Sequence, residues 1–99
     1  MPNKKMFVLT RRDLDPSQQA VQAGHAVAEY LLTYPNTEWN NGTLVYLGVK
    51  DEQDLKKWEY KLMLWKAHYV CFHEEDMDDE LTSIASVYDE RFFKDIQVL

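Results

Sequence analysis

The chain has 99 residues, 45% of them hydrophobic and 13% aromatic, a composition that excludes a disordered chain and predicts one domain with its own core. Its formal net charge is −6, and acidic residues concentrate in residues 73–80, HEEDMDDE, which disfavours broad coating of a nucleic-acid backbone. The single cysteine, Cys71, excludes an internal disulfide. Together with the lack of a long apolar run or a signal-like N-terminus, this predicts a cytoplasmic protein without membrane contact.

The first half of the chain predicts a strand and a long helix. Residues 6–10, MFVLT, are apolar and β-prone and run into a charged loop, so they predict a buried first strand. Asp15 or Ser17 can cap the following helix, and Pro16 suits its first turn, where no backbone N–H is needed. The helix should end at about Thr33, just before a Tyr-Pro pair that disfavours helical geometry.

The second half predicts a second helix and three strands. Asp51 caps the helix, which should run to about Ala67 and carry an apolar core stripe made of Leu55, Trp58, Leu62 and Trp65. The strands are predicted from segments that alternate or are rich in β-formers, at residues 43–49, 68–74 and 81–87. A short helix at residues 90–95 follows, and residues 96–99 either dock on the core or extend the sheet.

The resulting order, β-α-β-α-β-β-(α), predicts an α/β fold. Strands separated by helices need right-handed crossovers and pair in parallel for at least part of the sheet, with the helices covering its faces. No repeat, linker or low-complexity segment divides the chain, so residues 1–99 predict a single domain.

The first helix carries two stripes at 3.6 residues per turn. One is made of small or apolar residues and is expected to lie close against the sheet: Ala20, Gly24, Val27, Ala28 and Leu31. The other is expected to carry chemistry: Gln18, Gln22, His25 and Glu29. The His25 imidazole can take a proton or bind a ligand, Glu29 can orient it, and Gln22 can hold a carbonyl or base edge. The alternative is a surface histidine in an ordinary i, i+4 pair.

Arg11 and Arg12 follow the first strand and precede the first helix. In open α/β sheets ligands bind beyond the carboxyl ends of the strands, and a guanidinium beside a helix N-terminus suits a phosphate. An ion pair with Asp13 or Asp15 explains the arginines equally well.

The sequence does not predict a metal site or a cofactor. His68, Cys71 and His73 are metal-ligand types, but on a strand Cys71 and His73 share one face while His68 points to the other. The acidic segment lacks the glycine and the spacing of an EF-hand loop. A Gly-rich phosphate loop, a serine nucleophile elbow and a Cys-His pair are also missing, which removes most familiar enzyme classes.

Three short blocks of the sequence resemble the type 2 peptidyl-tRNA hydrolases and related short bacterial and phage proteins. The family's R-x-D-L is matched by Arg11, Asp13 and Leu14, its helix motif by Ala20, Gln22, His25 and Ala26, and its T-x-I-A by Thr82, Ile84 and Ala85. The resemblance covers about residues 7–87. It implies a three-layer α/β/α domain with a four-stranded mixed sheet, often dimeric, and metal-free hydrolysis of the ester between a peptide and tRNA.

The resemblance also implies catalytic positions: His25, Thr82 and a loop aspartate that is either Asp78 or Asp76. The chain departs from the family at Gln18, where the family has a lysine. An amide cannot neutralise a phosphate or a developing oxyanion, and loss of such a group is expected to lower the rate about a hundredfold.

Two main hypotheses follow. In the first, a homodimeric, non-catalytic protein binds a nucleotide-like or other small anionic ligand through Arg11, Arg12, Gln18, Gln22, His25 and Glu29; one form of it is a phage protein that sequesters a nucleotide immune signal. In the second, an active peptidyl-tRNA hydrolase uses Lys4, Lys5 or Arg12 in place of the missing lysine. A third, a protein-binding module, predicts an exposed aromatic patch from Trp39, Trp58 or Trp65.

Overall fold

The computed structural model describes residues 4–99 and contains four strands and two helices. These elements are β1 (Lys5–Arg11), α1 (Pro16–Thr33), β2 (Leu44–Val49), α2 (Glu52–Leu64), β3 (Tyr69–Glu74) and β4 (Glu80–Tyr88). Single 3-10 turns occupy Glu75–Met77 and Glu90–Phe93. The predicted order of elements is confirmed, and the short helix expected after β4 is the second of these turns.

The strands form one mixed sheet in the order β2-β1-β4-β3. β1 pairs in parallel with β2 and antiparallel with β4, and β3 pairs antiparallel with β4. Alternate residues of β1 therefore face opposite helices: Met6 and Val8 pack in the cluster that contains residues of α1, and Phe7 and Leu9 pack in the cluster that contains residues of α2. The predicted α/β fold with helices on both faces of a four-stranded mixed sheet is confirmed.

Side-chain caps begin both helices. The Asp15 carboxylate accepts the backbone N–H of Gln18 at 2.9 Å, and the Asp51 carboxylate accepts that of Asp54 at 3.0 Å. α2 ends at Leu64, earlier than predicted, because Lys66 adopts a left-handed backbone with φ 58° and turns the chain into β3.

The orientation predicted for α1 is wrong. Its buried residues are Gln22, Ala23, Ala26 and Tyr30, whereas Ala20, Gly24, Ala28 and Leu31 of the small-residue stripe are exposed and Val27 is half-buried. A Cβ added at Gly24 would meet no atom within 4 Å. The helix has small residues on two sides, and the side with Ala23 and Ala26 is the one that approaches the sheet.

The C-terminal strap, residues 96–99, covers the β2 edge of the sheet. Gly48 N–H donates to Gln97 O at 2.9 Å, Leu99 N–H donates to Tyr46 O at 2.9 Å, and Leu47 bridges Val98 in an antiparallel sense. Ile96 packs against the α2-side core. The strap therefore both docks on the core and extends the sheet. Neither helix of residues 4–99 combines the length and the hydropathy that a bilayer crossing requires.

Candidate functional site

A chain of hydrogen bonds joins α1 to β4 beneath the polar stripe. The Thr82 hydroxyl lies 2.9 Å from Gln22 Oε1 and donates to it, and Gln22 Nε2 donates to Gln18 Oε1 at 3.2 Å. Gln22 and Thr82 are completely buried, whereas Gln18 is exposed. The structure thus brings together three of the predicted site residues, although Gln22 is too deep to touch a ligand directly.

A register shift in the β3–β4 pair aims Thr82 at the helix. Phe72 is paired with Ser83 and His73 with Leu81, which leaves Thr82 as the extra residue of a β-bulge. As a result, both hydroxyls bond to Gln22. The Thr82 hydroxyl donates to the Gln22 side chain, and the Ser83 hydroxyl donates to the Gln22 backbone carbonyl at 2.7 Å. The bulge is the local feature that builds the polar interior of the site.

Four fully buried polar side chains form a layer under the N-terminal half of α1: Thr10, Gln22, Thr82 and Ser83. Thr10 alternates with Met6 and Val8 on the α1 side of β1, and its Oγ1 has no hydrogen-bond partner within residues 4–99. Polar groups are rarely buried without a partner, so the Thr10 hydroxyl is the one group of this layer that departs from an ordinary core.

His25 forms an aromatic platform with Phe72 of β3. The two rings are parallel within 4°, with their centroids 4.5 Å apart. His25 is exposed and Phe72 is half-buried, so the outer face of the imidazole is open to solvent. Glu29, one turn further along α1, accepts from the Thr33 hydroxyl at 3.4 Å instead of from His25. Phe72 could have been inferred to face α1 only if the position and register of β3 had been known.

Arg11 and Arg12 lie away from this platform. Arg11 is 7% exposed and alternates with Phe7 and Leu9 on the α2 side of β1; it forms ion pairs with Asp13 at 2.8 Å and with Glu80 at 2.7 Å. The hydrogen bond to Asp13 is the main cause that raises the pKa of Arg11, and the same bond lowers the pKa of Asp13. The alternative reading of Arg11 as an ion-pair residue is the one observed.

Arg12 lies across Gly48 of β2 and holds the C-terminal strap. Its Nη2 donates to Val98 O at 2.9 Å, and a side chain at position 48 would collide with the guanidinium. It lines an open cavity of about 520 Å³ together with Asp54 and Trp58 of α2, so it also lies on the α2 side of the sheet. The structure therefore places neither predicted arginine beside His25.

The acidic loop between β3 and β4 is tight and exposed. Asp79 N–H donates to Glu74 O at 3.0 Å, and Asp78 and Asp79 both have left-handed backbones, with φ of 54° and 58°. Aspartate tolerates this conformation better than most residues. Asp76 and Asp78, the two candidates for the loop aspartate, are both exposed. Within residues 4–99, no three His, Cys, Asp or Glu side chains are arranged to hold a metal ion.

A second cavity, of about 480 Å³, lies at the other end of α1 and was not predicted. It is lined in part by Tyr30, Tyr34 and His68, whose rings follow one another at centroid distances of 4.7 and 4.8 Å. Lys4 and Glu38, 3.8 Å apart, lie at the same cavity. The four-residue spacing of Tyr30 and Tyr34, at the end of α1, is the sequence signal for this cavity. His68 comes close to these two rings only in the folded sheet.

Comparison with known proteins identifies the fold. No protein-family model and no curated protein matches the chain. Among solved structures, the chain is similar to a protein of unknown function from Agrobacterium tumefaciens strain C58, with a TM-score of 0.75 and 13% sequence identity. The match covers 100% of this chain and 99% of that one. At this identity the similarity shows a shared fold and carries no activity.

Proposed function

We propose that the chain is a peptidyl-tRNA hydrolase-like domain that binds a small planar, nucleotide-like ligand between α1 and β3 without hydrolysing it. The observation that carries the proposal is the parallel stack of His25 on Phe72, 4.5 Å between centroids, with the imidazole exposed. Aromatic faces of this kind hold nucleobases by stacking, at about 1–3 kcal/mol per base.

Gln18 supplies the polar group that would read the ligand. Its Oε1 accepts from Gln22, and no hydrogen bond within residues 4–99 uses its Nε2. The hydrogen-bond chain from Thr82 fixes the amide, so that its N–H donors are available to a carbonyl or ring-nitrogen acceptor. An aromatic face combined with an oriented amide, here about two helical turns apart on α1, is a usual composition of a small-ligand site.

The charges around the platform favour the planar part of a ligand over its phosphates. α1 contains no lysine or arginine, and Arg11 and Arg12 lie on the other side of the sheet. Acidic residues of the β3–β4 loop follow Phe72 in the chain. We therefore expect the base or nucleoside part to contribute most of the affinity, and binding to depend only weakly on salt.

The same geometry supports the proposed absence of catalysis. Gln18 has no positive charge to offer a developing oxyanion, and the Thr82 hydroxyl is buried between Gln22 Oε1 and Phe72 O, 3.2 Å away. The three predicted replacements for the lysine have other partners: Lys5 pairs with Glu90, Lys4 with Glu38, and Arg12 donates to Val98 O.

Calorimetric titration with adenosine, AMP, a cyclic dinucleotide and inorganic phosphate tests the proposal. We expect the nucleoside and the nucleotides to bind with similar affinities at 50 and 300 mM salt, and phosphate alone not to bind. Binding of phosphate alone, or a steep loss of nucleotide affinity with salt, would contradict the stacking site. In biological terms, we propose that a phage protein of this kind sequesters a nucleotide immune signal. Selective retention of cyclic dinucleotides would support this role.

An active hydrolase is the second candidate, favoured by one observation. The Gln22–Thr82 hydrogen bond joins two positions of the family motif that are far apart in the chain, on the helix that also carries His25. Such an enzyme would turn over peptidyl-tRNA, with His25 and either Asp78 or Asp76 as required groups. No turnover at high enzyme concentration would exclude it.

We further propose a homodimer formed by the outward face of α1. That face exposes apolar side chains, with Val21 49%, Leu31 40% and Leu32 79% exposed. Two molecules that each carry a net charge of −6 can approach best through such a face.

A further inference from the structure

Among residues 4–99, nothing pairs with the outer edge of β3. In the order β2-β1-β4-β3 it is the end strand opposite β2, whose own edge is covered by the C-terminal strap. Edge strands present unpaired N–H and C=O groups to any extended chain that can reach them. Within residues 4–99, the β2 edge of the sheet is therefore covered and the β3 edge is not.

The outward backbone groups of β3 can be identified. Phe72 O lies 3.2 Å from the Thr82 hydroxyl of β4, and Glu74 O accepts from Asp79 N–H, so these residues point their backbone groups towards β4. Alternate residues of a strand point the opposite way, which leaves Tyr69, Cys71 and His73 facing outward. None of these three takes part in a backbone hydrogen bond outside the helix and strand pairing of residues 4–99.

Carboxylates surround this edge. Tyr69 and Cys71 pack against the α2-side core, and Glu59 lies on α2. Burial, and then the neighbouring Glu59 carboxylate, raise the pKa values of Tyr69 and Cys71. At the end of the strand, five acidic side chains form no ion pair within residues 4–99: Glu74, Glu75, Asp76, Asp78 and Asp79. Only Glu80 is neutralised, by Arg11.

We propose that the β3 edge is a docking site for a basic, extended segment of a partner protein, which adds a fifth strand beside Tyr69, Cys71 and His73. Backbone hydrogen bonds hold such a segment, and its lysine or arginine side chains face the carboxylates of Glu59 and the acidic loop. A second copy of this chain fits less well, because pairing β3 with β3 brings two chains of net charge −6 together.

The test uses three synthetic peptides and hydrogen exchange of the full chain. The first peptide alternates lysine and valine, the second replaces lysine by glutamate, and the third replaces valine by proline and keeps the charge. We expect only the first to bind strongly, and its binding to slow exchange at the amides of Tyr69, Cys71 and His73 while Val70 and Phe72 stay unchanged.

Matched variants separate strand addition from simple charge attraction. His73→Pro removes an outward N–H that the fold does not use and should weaken binding about tenfold, whereas His73→Ala should bind normally. Glu75→Gln with Asp79→Asn should weaken binding and reduce its dependence on salt. Circular dichroism checks that each variant is folded.

The proposal is overturned if the charge-matched proline peptide binds as well as the valine peptide, or if His73→Pro and His73→Ala bind alike. Protection of the β3 amides that grows with protein concentration in the absence of peptide would assign the edge to a second copy instead.

Discussion

Thr10 shows most directly how the buried polar layer departs from an ordinary core. Its hydroxyl is completely buried on the α1 side of β1 and has no hydrogen-bond partner within residues 4–99, whereas the Ser83 hydroxyl in the same layer donates to Gln22 O. A buried polar group without a partner lowers stability, and one with a partner is roughly neutral or favourable.

Thr10→Val and Ser83→Ala should therefore change stability in opposite directions. We expect Thr10→Val to raise the free energy of unfolding by about 1 kcal/mol and Ser83→Ala to lower it by about 1–2 kcal/mol, since the latter removes a satisfied donor. Urea denaturation of both variants measures this. A clearly destabilised Thr10→Val variant would mean that the Thr10 hydroxyl has a hydrogen-bond partner in solution.

Asp13 makes stability depend on acid pH. Its hydrogen bond to Arg11 lowers the pKa of the carboxyl in the folded state, so its contribution is present above the unfolded-state pKa of about 4 and is lost as pH falls through the lower folded-state value. Asp13→Asn should be less stable than the parent chain at pH 7, and the gap should close as pH falls below about 4. Urea midpoints measured from pH 7 to pH 2 test this, with Asp95→Asn as a control that removes no ion pair of residues 4–99. A gap that widens in acid would contradict the assignment.

At the scale of elements, sequence predicted the existence and bounds of α1 but not its orientation. Asp15, Pro16 and the Tyr-Pro stop act locally, so they can be recognised from neighbouring residues alone. Which of two small-residue stripes is buried depends on the surface that the helix meets. Here that surface is the polar bulge at Thr82, which lies 60 positions after Gln22 and takes shape only when β3 and β4 pair.

The same dependence on tertiary structure explains which residues of the predicted site come together and which do not. Gln18, Gln22 and His25 lie where the helical period placed them relative to one another, and Thr82 joins them through tertiary structure. Arg11 and Arg12 are adjacent to α1 in sequence, but both lie on the α2 side of the sheet. Closeness in sequence therefore did not predict which face of the sheet the two arginine side chains occupy.

Two glycines test the orientation of the elements. Gly24→Ala adds a methyl group in open space on the exposed face of α1 and should stabilise the chain by about 1 kcal/mol, because alanine favours helix. Gly48→Ala should push the Arg12 guanidinium aside, break its bond to Val98 O and destabilise by about 1 kcal/mol.

Chemical denaturation gives the sign of each change, and hydrogen exchange at Leu99 N–H should accelerate in Gly48→Ala alone. A strongly destabilised Gly24→Ala variant would mean that the small-residue stripe of α1 packs against another surface.

At the scale of the whole molecule, the exposed apolar side chains on the outward face of α1 predict self-association. Leu32 is 79% exposed, so Leu32→Glu should leave the stability of a single chain nearly unchanged while it shifts the dimer towards monomer. Sedimentation velocity across a range of concentrations measures this. Leu64→Glu on α2, where the side chain is 59% exposed, is the matched control and should not affect association. A parent chain that is monomeric at every concentration would exclude the dimer.

The proposed ligand binding depends on the face of the ring at position 25 rather than on imidazole chemistry. His25→Phe keeps a ring that can stack on Phe72, whereas His25→Ala removes the ring. Position 25 is exposed in the folded chain, so neither variant should unfold it.

The most direct test is the calorimetric affinity for AMP of the parent chain, His25→Phe and His25→Ala, measured side by side. Stacking predicts that His25→Phe binds within a few-fold of the parent and that His25→Ala loses about tenfold or more. Equal affinity in all three, or equal loss in both variants, would contradict the platform as the binding site.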